Sequence, residues 1–324
     1  MKDSTAIENR TSAAALPLWA RIVLCLVGMV FIHVIVSIPV AVVIVGLAAS
    51  GEEWARSFLQ SSNQQGLLLL TIAVAPAMLA ATMAIVYVQR RWIDRRSFAS
   101  MGFVRLDARR VGWIGVGLVA GAAPIAAVVG QLFLTGNVAI ERSGLTWISA
   151  LICGGLVLMA FYEEFLFRGY LYRNFLDEGR PVAGLIVTSI AFWLLHSFNP
   201  HVWTSPWASL NLMGAGVVLA LAYQLSDELW FPTAMHFGWN AAQGLLFGLP
   251  ISGIRVAGVW EVTNKIHAPE WMTGGEFGLE SSALVTFLEV AIAAFLGMLV
   301  FRVQRRKSSP SGDDSAEPIW AELV

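Results

Sequence analysis

Charge is scarce in this chain. Only 13% of its 324 residues are Asp, Glu, Lys or Arg, about half the share of a soluble domain. A solvated globular protein is excluded on that balance. Cysteine is nearly missing too. Cys25 and Cys153 are the only two, and they stand in separate apolar runs. No disulfide framework can be built from them, and they read as small packing residues. The net charge of −1 gives no basic surface for nucleic acid. There is no HExxH, no G-x-S-x-G and no P-loop, so those hydrolase and nucleotide signatures are excluded. No internal repeat is found.

Apolar runs fill the space that charge leaves. Hydrophobic residues make up 57% of the chain, and the mean hydropathy is +0.67. Runs near twenty residues indicate membrane spans. The sequence predicts eight, at Trp19–Ala49, Gly66–Val88, Val111–Thr135, Thr146–Leu171, Val182–Ser197, Ala208–Leu225, Leu229–Leu249 and Ser282–Val303. The first is too long for a signal-peptide core and is read as a retained span, with Pro39 as a kink point. With the N-terminus inside, 17 of the 21 Lys and Arg residues fall on the cytoplasmic side. That asymmetry supports eight spans with both termini cytoplasmic. Residues 1–18 read as a tail, 19–90 as two N-terminal spans, 91–249 as a core, 250–281 as an outer loop, 282–303 as the last span and 304–324 as a disordered tail.

Polar residues inside such spans are costly and mark function by default. The stretch "AFYEEFLFRGYLYR", Ala160 to Arg173, carries Glu163, Glu164 and Arg168. It follows directly on the uncharged run that begins at Trp147. His196 ends "AFWLLH", and His236 and Asn240 stand in "HFGWN". A rise of about 1.5 Å per residue sets Glu163 roughly 15 Å, His236 roughly 14 Å, Asn240 roughly 20 Å and His196 roughly 22 Å from the cytoplasmic edge. Four polar residues on three helices thus share the middle of the bilayer.

Spacing adds orientation. His236 and Asn240 are i and i+4, on one helix face. Glu164 and Arg168 have the same spacing, with the acid first, the better order for an ion pair. Glu163 points about 100° away from Glu164. Glu164 is therefore expected to be neutralised by Arg168, and Glu163 to face a cavity. A carboxylate there suits a general acid or base. A histidine can share its water, and a second histidine with an amide can stabilise an oxyanion. His33 reads as structural, and His201 and His267 as loop residues without a role. Trp147, Trp203, Trp207 and Trp230 read as interfacial belts. The glycines 112, 115, 117 and 121 read as close helix packing.

These motifs, "EEFLFR", "FWLLH" and "HFGWN", match EExxxR, FxxxH and HxxxN in order. With the basic stretch "RRSFASMGF" before them, they resemble the CPBP intramembrane protease family, which includes the type II CAAX prenyl endopeptidases and bacteriocin-processing enzymes. The likeness covers roughly Arg95 to Leu249. It implies that Glu163 activates water with His196, that His236 and Asn240 form the oxyanion site, and that Glu164 and Arg168 support the geometry. Zinc held by Glu163, His196 and His236 and a metal-free glutamate mechanism are both compatible with these residues.

The expectation is an all-α integral membrane protein, a bundle of about eight transmembrane helices around a polar intramembrane cavity. Its expected function is endoproteolysis of a membrane-associated substrate, a lipidated CAAX-type peptide or another membrane protein. The alternatives are a non-catalytic scaffold or immunity protein of the same fold and a proton-coupled transporter. The expected location is a bacterial or archaeal plasma membrane. Partners are then membrane lipid and a peptide or membrane-protein substrate, with no nucleic acid.

Overall fold

The computed structural model describes residues 14–53, 56 and 64–307. Eight helices carry most of the described residues. They are α1 (Leu18–Ala49), α2 (Gln64–Val88), α3 (Ala108–Leu134), α4 (Trp147–Asp177), α5 (Pro181–His196), α6 (Pro206–Ser226), α7 (Trp230–Asn240) and α8 (Ala283–Lys307). The protein is an all-α membrane protein, but six of these helices, not eight, are long and apolar enough to cross a membrane. The two that fall short are α5, with 16 residues, and α7, with 11. At about 1.5 Å per residue, neither reaches the roughly 30 Å of a hydrocarbon core. The apolar run of α7 changes at Asn240 into a π-helical segment, Ala241–Leu246, and stops before Gly248 at φ +62°.

Local chemistry sets the helix starts. Asp107 caps α3, its carboxylate accepting from the Arg110 N–H at 2.9 Å. Thr146 and Ser149 form a reciprocal capping box on α4, the arrangement that satisfies two orphan donors at once. Pro181 and Pro206 open α5 and α6 at their first turns, where a missing N–H costs nothing. Asp227 ends α6 in the left-handed region at φ 55°.

Buried charge ties one end of the bundle together. Arg21 of α1 donates to the Asn174 side chain at 2.7 Å. Arg90, just past α2, pairs with Asp177 at 2.8 Å. Arg173 reaches Asp177 at 3.1 Å and Asp227 at 2.7 Å. The ends of α4 and α6 therefore meet, and α5 and α7 both start from that end. Large apolar side chains of α1 such as Val27, Val30 and Phe31 face outward, as a lipid-facing helix requires.

Helix α3 lies against α7 with backbone contact. A Cβ at Gly117 would meet Ala234 and the Phe231 carbonyl, and one at Gly121 would collide with the Met235 carbonyl. Gly112 and Gly115 face open space instead, so only half of the expected glycine series packs helices. Trp230 is a packing residue, not a belt residue. Its indole donates to the Val104 carbonyl at 3.0 Å and its ring stacks on Phe161.

The loop after α7 is folded against the bundle. Its strand β2 (Trp260–Asn264) pairs antiparallel with β1 (Val138–Arg142), with Ile140 opposite Val262. Phe277 and Leu279 are buried. The last helix continues to Lys307, beyond the end drawn for its apolar run. Residues 1–13 of the expected N-terminal tail and residues 308–324 of the C-terminal one lie outside the described residues, as does the side chain of His33 within α1.

Candidate active site

Helix α4 carries Glu163 and Glu164 at the point where it widens into a π-helical stretch, Phe165–Tyr172. Helix α7 does the same directly after Asn240. Single π turns inside helices occur often at functional sites. Here one runs through the second half of the Glu163–Arg168 segment and the other follows Asn240.

Glu164 is fully buried and Arg168 is 1% exposed. They pair at 2.7 Å, Arg168 Nη1 donating to Glu164 Oε1, as the spacing predicts. The guanidinium also donates to the Gly216 carbonyl at 3.2 Å and lies 4.8 Å from the centre of the Phe192 ring. A buried ion pair is stable only with good geometry and further hydrogen bonds. The same Glu164 Oε1 supplies one, because it also stands 2.9 Å from His236 Nδ1.

That contact settles which way His236 faces. A carboxylate oxygen accepts, so Nδ1 carries the proton, and Nε2 is turned to Glu163 Oε2 at 3.9 Å. His196 obeys the same logic. Its Nδ1 lies 2.8 Å from the Phe192 carbonyl, one turn back on α5, and must donate. Its Nε2 then faces Glu163 Oε2 at 3.8 Å. Three helices therefore aim two Nε2 atoms at one carboxylate oxygen. Both separations exceed a direct hydrogen bond and fit a bridging water. Glu163 Oε2 itself has no hydrogen-bond partner among the described residues.

Glu163, His196, His236 and Asn240 all line one cavity of about 410 Å³. The structure thus brings together every residue expected at the site. Glu164 and Arg168 sit directly behind it. The donor placement does not match a zinc site. Tetrahedral zinc with bonds of about 2.0–2.2 Å needs donors about 3.4 Å apart. The gaps of 3.8 and 3.9 Å are wider, and no set of three such side chains among the described residues is placed to hold an ion.

Two more carboxylates line the cavity, Glu280 and Glu289. Neither was expected from the sequence. Glu289 is a lone acid in the apolar run of α8, a signal that intramembrane acids always deserve. Glu280 lies in a single 3-10 turn, Leu279–Ser281, too short for any periodicity to point to it.

No curated protein and no solved structure matches the chain. Residues 144–242, which hold all three motifs, match the family model described as type II CAAX prenyl endopeptidase Rce1-like, the family that those motifs resemble.

Proposed function

We propose that this protein is an intramembrane endopeptidase that cleaves a peptide bond with water activated by Glu163. The observation that carries the reading is the convergence of the Nε2 atoms of His196 and His236 on Glu163 Oε2, at 3.8 and 3.9 Å, inside a cavity large enough for a peptide segment. The match of residues 144–242 to a type II CAAX prenyl endopeptidase family model supports it.

The chemistry follows from the placement. Glu163 takes a proton from a water held against His196 Nε2. The resulting hydroxide attacks the scissile carbonyl carbon. The carbonyl oxygen becomes an oxyanion and accepts from the Asn240 amide and from Nε2 of His236 in its protonated form. Glu164 balances the charge on that imidazolium, and Arg168 keeps Glu164 ionised and in place. The proton on Glu163 then passes to the leaving amine as the C–N bond breaks, so the carboxylate is regenerated. Preorganised donors of this kind are worth about 10²–10³ in rate each.

A cavity inside a bundle suits a substrate delivered from the membrane. A prenylated CAAX-type peptide is the first to test, in keeping with the family. The test is cleavage of a fluorogenic lipidated peptide by purified protein, with Glu163→Ala and His236→Ala alongside. The wild type is expected to cleave, and each variant to lose about 10²–10⁴ of the rate. Equal activity in all three would remove the reading.

A further inference from the structure

The mechanism uses Glu163 and Glu164, yet the same cavity has two further acids. Glu280 and Glu289 are 9% and 6% exposed, and both border the cavity. Buried charges are ordinarily paired. No lysine or arginine among the described residues lines this cavity, and Arg168 is already engaged by Glu164.

The two acids are built in, not stray. Glu280 Oε2 accepts from both the N–H and the hydroxyl of Ser252, each at 2.7 Å. Ser252 holds a left-handed backbone at φ 46° to make that contact. The Asn211 amide of α6 pins the Glu280 carbonyl at 3.0 Å. Burial raises the Glu280 carboxyl above the ordinary glutamate range, and the two imidazoles of the site oppose that rise. Glu280 therefore lies within electrostatic reach of His196 and His236. Glu289 comes from α8 and rests against α6 at Gly214, where any Cβ would collide with its Oε2. No hydrogen bond or ion pair reaches the Glu289 carboxylate among the described residues. A buried carboxyl in the cavity wall that has no partner of its own is free to take a cation from outside the protein.

We propose that Glu289 and Glu280 form a subsite that seats a lysine or arginine side chain of the peptide substrate, in the same cavity as Glu163. The proposal rests on the protease reading for its register and adds the substrate class. A peptide entering the cavity brings the cation that the wall does not supply.

The test is equilibrium binding to the full chain in detergent micelles, read by fluorescence anisotropy at neutral pH. The probe is a fluorescein-labelled, S-farnesylated, C-terminally amidated octapeptide, with one lysine or one norleucine scanned through its positions. Norleucine keeps the stem and removes the charge. At one position the wild type is expected to bind the lysine peptide about tenfold more tightly, the worth of one charge-assisted contact. In Glu289→Gln the lysine-to-norleucine ratio is expected to fall to near one, and Gly214→Ala is expected to reduce it by displacing the carboxylate. Equal affinities at every position in the wild type overturn the subsite, as does the absence of binding by every peptide. A lysine preference that survives in both Glu289→Gln and Glu280→Gln overturns it too. Failure of the protease reading shows separately, as binding without cleavage of any peptide.

Discussion

Glu164 of α4 and His236 of α7 face each other at 2.9 Å, although 72 residues separate them in the chain. The same carboxylate oxygen takes Arg168 at 2.7 Å. A single buried atom therefore couples the ion pair that fixes α4 to the imidazole that faces the cavity. Its chemistry is that of an orienting acid. It holds the tautomer of His236 and offsets the charge when that ring is protonated.

Replacing Glu164 by glutamine keeps the shape and removes the charge. The expected outcome is a fall in kcat of about 10²-fold or more, with KM little changed, because the loss acts on the protonated ring in the transition state. Combining Glu164→Gln with His236→Ala is expected to cost little beyond the worse single change, since both act through one contact. Steady-state kinetics on the four proteins of the cycle measures this. Additive losses would separate the two residues.

Arg168→Met tests the ion pair itself. It leaves Glu164 buried without its guanidinium, which destabilises by about 3–5 kcal/mol. Denaturant unfolding in micelles should show the loss. Adding Glu164→Gln should restore part of it, because the uncompensated charge is gone.

Local spacing made the Glu164–Arg168 pair legible in the sequence. Helical period alone turned Glu163 away from its neighbour, and motif order brought His196 and His236 into one site. Other contacts had no such signal. The Glu164–His236 contact joins distant segments, and nothing in local sequence fixes which acid an imidazole finds. The eight apolar runs were read as eight spans. Run length cannot show that α7 turns π-helical at Ala241. The bounds of α5 were legible to within a residue, but its 16 residues are too few for a span. The pairing of β1 with β2 was missed because both strands are five residues long and join loops far apart in the chain.

Gly121 gives a packing prediction with an internal control. Its Cβ would overlap the Met235 carbonyl on α7. Gly121→Ala is expected to force the helices apart and cost about 1–3 kcal/mol. It should also lower activity, because His236 follows Met235 directly. Gly115 lies on the same helix and faces open space. Gly115→Ala is expected to be neutral, or stabilising by up to about 1 kcal/mol through helix propensity. Unfolding midpoints of the two variants provide the comparison, and equal shifts would contradict the helix contact.

Glu228 supplies a pH dependence with a definite sign. It lies between α6 and α7, it is buried, and Arg110 approaches it at 3.2 Å. Burial raises its carboxyl above the ordinary glutamate value, and Arg110 opposes this only in part. The folded protein then binds more protons at this site than the unfolded chain. Stability from that proton is fully present below the ordinary value of about 4.3. It is lost as pH rises through the higher folded value. Unfolding midpoints of the wild type are therefore expected to fall, relative to Glu228→Gln, as pH climbs from about 4. The difference should level off once the folded carboxyl has ionised. Parallel curves across the range would mean that Arg110 balances the burial completely. A difference that grows the other way would make the ion pair the dominant force at this junction.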